Sequence, residues 1–253
     1  MPGMKTPLRE TVNQRTATLL GAGRVTGSRI ALAAPQTESN DGRPKLYVFL
    51  QTDVKSAALE KALQAKFPSL AVTVFGRFKD FEDAFLSKRP DVVLAVSPFL
   101  IAQKVAPTLQ GVKGAKDWES YALVSNGAAL DGPLSGRAVG IVDLLGRTGT
   151  QEFATSILKT PDLKLKRVTK VEDLLSLLQF SAADAVLMPI STVKAFTARS
   201  RLPLRFRELP ETRVGLPGVA AINSRLKETV IKQFLALDAD TNRVLGVEKW
   251  GVR

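Results

Sequence analysis

The chain contains no histidine and no cysteine. The first absence excludes a Ser-His-Asp triad, imidazole acid–base chemistry and a histidine-ligated metal. The second excludes disulfides, thiolate ligands and cysteine nucleophiles. Lysine or carboxylate pairs could still act, but none stands out, so no catalytic residue, metal or cofactor is expected. Aromatic residues make up only 6% of the chain, and no apolar run reaches the roughly 18–20 residues that span a membrane. No Walker loop, no G-x-G-x-x-G after a strand, no H-E-x-x-H and no calcium loop occurs.

What is present is 253 residues, 45% hydrophobic and 24% charged, enough for one large domain or two small lobes. The 36 basic and 24 acidic residues leave a net charge of +12, which favours anionic partners. A nucleic-acid surface would show a basic stripe with stacking aromatics. Here the cations are dispersed, and pairs such as Lys88-Arg89 and Lys166-Arg167 are the densest clusters. Nucleic acid is therefore not expected as a partner; a small anion is.

Residues 1–44 lack periodicity and close on the polar run Gln36 to Pro44. They read as a disordered tail or linker, or as a degenerate export signal in which Arg24 and Arg29 interrupt the apolar core. From Lys45 onward, short β-rich runs (Leu46–Leu50, Ala71–Phe75, Val92–Val96) alternate with helical segments (Ala57–Phe67, Phe81–Leu86). That alternation predicts βαβ units and a largely parallel sheet. It repeats with strands at Ala138–Val142, Lys166–Val168 and Ala185–Met188 and helices at Gln151–Leu158, Val171–Phe180 and Ser191–Ala198. Extended segments from Tyr121 and from Leu204 connect the halves. A strand at Gly218–Asn223 and a helix at Leu226–Leu237 return to the first. The expected division is lobe 1 at 45–125 plus 214–253, and lobe 2 at 126–213.

The most informative stretch is Ala138 to Ala154, read as strand, glycine- and hydroxyl-bearing turn, then helix. The first amides of a helix lack internal partners and carry partial positive charge, which suits a small anion. Gly146 and Gly149 allow close approach, Thr148 and Thr150 offer hydroxyls, and Arg147 adds charge. A tight turn with a threonine cap is the alternative. Asp143 reads as structural, because a bare carboxylate would repel an anion.

The order of these motifs, followed by Asp184-Ala-Val-Leu-Met188 and Val214-Gly-Leu-Pro-Gly-Val-Ala220, resembles type II periplasmic substrate-binding proteins. Within that group it is most similar to the phosphate/phosphonate-type binding components of ABC transporters. The resemblance covers about residues 45–250. It implies a two-lobed α/β fold, with mixed sheets flanked by helices and two crossing strands as a hinge. It further implies capture of a small anionic solute between the lobes, a monomer located in the periplasm (a soluble cytoplasmic protein being the alternative if residues 1–44 are no export signal), and a transporter permease as partner. On this resemblance the chain would touch the membrane only peripherally and perform no reaction. A sensor or accessory module, or an enzyme on the same fold, is the alternative. Arg147 departs from the serine-rich turn of that family and leaves the ligand open.

A cleft binder gathers contacts at the carboxyl ends of its strands. Thr52 and Asp53 follow the first strand, as ligand contacts or as an N-cap. Ser97 and Phe99 follow the third, Ser97 as a hydroxyl contact and Phe99 as cleft wall or core. Arg147, Thr148, Gly149 and Thr150 form the expected opposite wall. Ser191 and Thr192 open another helix, as contacts or caps. Trp118 and Trp250 read as packing residues.

Overall fold

A computed structural model describes residues 42–127, 130 and 132–253 of the chain. The expected tail or export signal therefore lies almost wholly outside the described residues. From Lys45 the elements run β1 (Lys45–Phe49), α1 (Ser56–Lys66), β2 (Ala71–Val74), α2 (Phe78–Lys88), β3 (Val92–Ala95), α3 (Ser97–Ala102) and β4 (Leu109–Val112). The middle of the chain forms β5 (Trp118–Asn126), β6 (Ala138–Val142), α4 (Gly146–Leu158), β7 (Lys164–Val168), α5 (Val171–Gln179), β8 (Ala185–Pro189), α6 (Ile190–Ala198) and β9 (Leu204–Gly215). The last part adds β10 (Gly218–Ala221), α7 (Lys227–Leu235), α8 (Ala239–Val244) and β11 (Lys249–Val252).

The strands form two mixed sheets. One has the order β11-β4-β10-β3-β1-β2, the other β7-β6-β8-β5-β9. In the first, β1 lies parallel to β2 and β3, while β10 runs antiparallel to β3 and β4. In the second, β6 lies parallel to β7 and β8, and β5 runs antiparallel to β8 and β9. The chain passes between sheets at residues 113–117 and again at 216–217. The first passage precedes the expected boundary at 125: all of β5 belongs to the second sheet, because its apolar residues pair with β8 and β9.

The central strands β1, β3, β6 and β8 are buried on both faces, which explains why they read as continuous apolar runs. Along β1, Leu46 and Val48 enter one core cluster while Tyr47 and Phe49 enter another. Along β5, Tyr121 and Leu123 face one cluster, Ala122 and Val124 the other. The second cluster under β1 is aromatic, with Phe78, Phe81, Phe85 and Phe99 packed on Phe49 and on one another. Trp250 is 5% exposed, packs edge-on against Phe234 and donates its indole N–H to Asn242 Oδ1 at 2.9 Å. Trp118 is different: it lies under two cations, Lys116 and Arg213. Among the described residues no helix is long and apolar enough to cross a membrane.

Candidate functional site

The loop after β1 is the shared wall of two cavities between the sheets. Leu50, Gln51, Thr52, Asp53 and Val54 line both a cavity of about 390 Å³ and one of about 490 Å³. Thr52 Oγ1 accepts the Val54 amide at 3.2 Å, a local turn that holds the loop in shape. Neither Thr52 nor Asp53 caps α1, whose N-cap position is Lys55 and carries no side-chain cap. Asp53 instead pairs with Arg199 at 2.8 Å. Arg199 follows α6 of the second sheet, so this ion pair bridges the two halves. Both groups are a third to a half exposed, and such a pair contributes about 0–1 kcal/mol. Its weight lies in geometry and not in stability.

The facing wall comes from the carboxyl ends of β7 and β8. Thr169, Lys170, Glu172 and Asp173 close the smaller cavity. Pro189, Ser191 and Thr192 close the larger one, with Lys113, Glu119 and Tyr121 at the crossing strands. The Ser191 amide donates to Glu119 Oε2 at 3.3 Å. Burial, and then the Glu119 carboxylate, hold the Tyr121 phenol well above its ordinary pKa. It stays a neutral O–H throughout the physiological range. The larger cavity thus offers hydroxyls together with charge of both signs: Asp53 and Glu119 against Lys113 and Arg243, with Arg199 bound to Asp53 from outside the lining.

The stretch expected to hold an anion sits elsewhere. Helix α4 begins at Gly146, five residues before the expected Gln151, so the supposed turn is its first helical turn. Thr150 is fully buried; its Oγ1 donates to Asp143 Oδ1 at 2.8 Å and accepts the Leu144 and Leu145 amides at 3.2 and 3.0 Å. Asp143 is also paired with Arg167 at 2.7 Å. Asp143 is therefore structural, and Thr150, expected as a contact, does the holding of the backbone. Arg147 and Thr148 are exposed and line neither cleft cavity. Gly149 faces a separate cavity.

Leu145 and Gly146 point at the first half. Leu145 packs on the aromatic cluster under β1, and a Cβ on Gly146 would sit 3.2 Å from Phe78. Gly146 also adopts φ +71°, a conformation that costs other L-residues about 1–2 kcal/mol. Gly146→Ala should therefore lower the melting temperature by about 2–8 °C at this size. Thermal denaturation checks it; an unchanged midpoint would mean that the junction yields without strain.

Two further expectations are corrected. Phe99 is 0% exposed and stacks among Phe78, Phe81 and Phe85, so it is core and not cleft wall. Ser97 is buried too: its Oγ donates to Leu216 O and accepts from Gln110 Nε2 at 3.3 Å. Ser97 thereby ties α3 to the second crossing, and Gly215 is needed there because a Cβ would meet Ser97 Oγ at 2.7 Å. Of the expected contacts, Thr52, Asp53, Ser191 and Thr192 are brought together at the cleft. Glu119, Lys113 and Arg243 join them without having been expected, and Arg199 reaches the cleft through Asp53. No local motif marks them; only the strand order places them there. Among the described residues no group of three Asp or Glu side chains could hold a metal ion.

No family model matches the chain, and no curated protein matches it in sequence. Its fold is similar to solved structures. The substrate-binding protein of an amino acid ABC transporter superposes with a TM-score of 0.52 at 17% identity, over 81% of this chain and 92% of that one. The GluR0 ligand-binding core from Nostoc punctiforme, solved with L-glutamate, gives 0.55 at 13% identity, over 80% and 96%. The periplasmic VFT2 domain of BvgS from Bordetella pertussis gives 0.53 at 14% identity, over 81% and 94%. The two mixed sheets flanked by helices are the two-lobed periplasmic-binding-protein-like fold.

Proposed function

We propose that the chain is a solute-binding protein that holds a small zwitterionic solute, of the α-amino-acid class, in the cleft between its lobes. The observation that carries this reading is the Leu50–Val54 loop, one wall of both cavities, tied across the cleft by Asp53 and Arg199. A carboxylate and a guanidinium that already face each other provide partners for an ammonium and a carboxylate respectively. Serine and threonine hydroxyls at 191 and 192 add neutral contacts. Two of the similar structures support the class, since one belongs to an amino acid transporter and one was solved with L-glutamate.

A phosphate- or phosphonate-like oxyanion is the second candidate, and the net charge of +12 favours it. Against it stand the Asp53 and Glu119 carboxylates on the cavity wall and the position of Arg147 and Thr148 away from that wall. The reading further includes closure at residues 113–117 and 216–217, delivery to a membrane permease outside the cytoplasm, action as a monomer, and no reaction of its own.

A panel of L-amino acids, phosphate and methylphosphonate, screened by thermal denaturation, tests the ligand class. A true ligand at about a hundred times its Kd stabilises by about 2.7 kcal/mol, or about 5–10 °C here. At least one amino acid should produce that shift. A shift with phosphate or methylphosphonate alone would replace the zwitterion with an oxyanion.

A further inference from the structure

A larger cavity lies beside the cleft, on the far side of the second crossing. It measures about 580 Å³, within the range of about 300–1,000 Å³ of small-molecule sites. Ile101 of α3 faces Phe153 and Ile157 of α4 across it, with Val214 and Gly215 of β9 along one side. Ile101 leaves 74% of its surface exposed, a large apolar side chain at the mouth of an apolar groove. Grooves of this kind mark binding sites more often than a scattered surface leucine does.

The groove has a chemically distinct end. A second cavity of about 290 Å³ shares Ile101, Arg213 and Gly215 with it and extends to Trp118. The Arg213 guanidinium lies 4.9 Å from the Trp118 ring centroid, and the Lys116 ammonium 4.7 Å. An indole face holds a cation in place without neutralising it. Among the described residues Arg213 makes no ion pair, while the nearby Asp117 carboxylate is occupied by Arg253. Glu152 and Glu211 sit on the rim of the larger cavity. Lys159 lines the same cavity at the α4 end, beside Glu152, while Arg213 stands at the Trp118 end, held on the indole face.

From these features we infer a second binding site, beside the two solute cavities and sharing Pro98, Val214 and Gly215 with the larger of them, for an amphipathic monoanion: an apolar chain or ring bearing one carboxylate. The apolar part lies between α3 and α4, where its surface leaves water. The carboxylate meets Arg213, whose planar fork matches it with two parallel hydrogen bonds. The inference does not depend on the zwitterion reading of the cleft.

Dodecanoate is the probe, titrated into the full chain by calorimetry with tryptophan emission followed in parallel. Saturable 1:1 binding is expected, with an emission change that Trp118→Phe removes. Arg213→Ala should weaken binding at least tenfold, Arg213→Lys should recover part of it, and Ile101→Asp should abolish it. Dodecanol, with the same tail and no charge, should bind at least tenfold more weakly. Ile101 and Arg213 are both exposed, so these variants keep the fold, which circular dichroism verifies. Asp53→Ala should leave dodecanoate binding unchanged. No saturable binding, or binding indifferent to both Arg213→Ala and Ile101→Asp, would overturn the site. Loss of binding in Asp53→Ala would overturn it too, by placing dodecanoate in the cleft.

Discussion

Phe99→Ala should destabilise the protein by about 3–5 kcal/mol, the usual cost of removing a buried phenylalanine. The side chain is fully buried, with ring centroids of Phe81 and Phe85 at 4.6 and 5.1 Å and of Phe78 at 6.1 Å. Truncation leaves a void against three rings of α2, two of which are held by Phe49 of β1, so they cannot all close in on it. At about 2–4 °C per kcal/mol for a chain of this size, the melting temperature should fall by about 6–20 °C. Solute affinity measured well below that midpoint should be unaffected, because Phe99 lines neither cleft cavity. A stable variant with impaired binding would instead make Phe99 a cleft wall.

The second large effect is expected at Thr150. Thr150→Val keeps the shape of the side chain and removes its hydroxyl. It strands the Leu144 and Leu145 amides and takes a donor from Asp143, all in or beside the core. Unsatisfied buried groups cost about 1–3 kcal/mol each, so a loss of about 2–4 kcal/mol is expected. Thr150→Ser keeps the hydroxyl and gives up one methyl, worth about 0.8 kcal/mol. Urea denaturation of the pair separates the two contributions. Equal stability of the Val and Ser variants would mean that the hydroxyl network does not hold the turn.

These residues show what the sequence disclosed and what it hid. The alternation of apolar runs from Lys45 onward was legible because strands buried on both faces leave uninterrupted runs, as at β1 and β6. Short elements escaped. β4 carries Gln110 and Gly111, α8 is only six residues long, and β11 is four residues with a lysine, a tryptophan and a glycine. In the stretch from Gly146 to Thr150 the residue types are legible in the sequence but their directions are not, and Thr150 points inward to Asp143. Glycine and threonine fit an anion cradle and a tightly packed helix start equally well. The choice is made by contacts distant in sequence: Phe78 lies against Gly146, and Leu145 packs on the aromatic cluster under β1. Asp53 was legible as a polar residue following a strand. Its partner Arg199 was not, because nothing local relates the two positions.

The cleft reading stands or falls on Asp53. It lies on the wall common to both cavities and reaches the opposite lobe, yet its ion pair contributes little to stability. Calorimetric titration of the wild-type chain and Asp53→Ala with the amino acid that most raises the melting temperature is the direct test. The account predicts 1:1 binding to the wild type and at least a tenfold loss, about 1.4 kcal/mol, in a variant whose melting temperature is nearly unchanged. Equal affinity of the two proteins for that amino acid would contradict it.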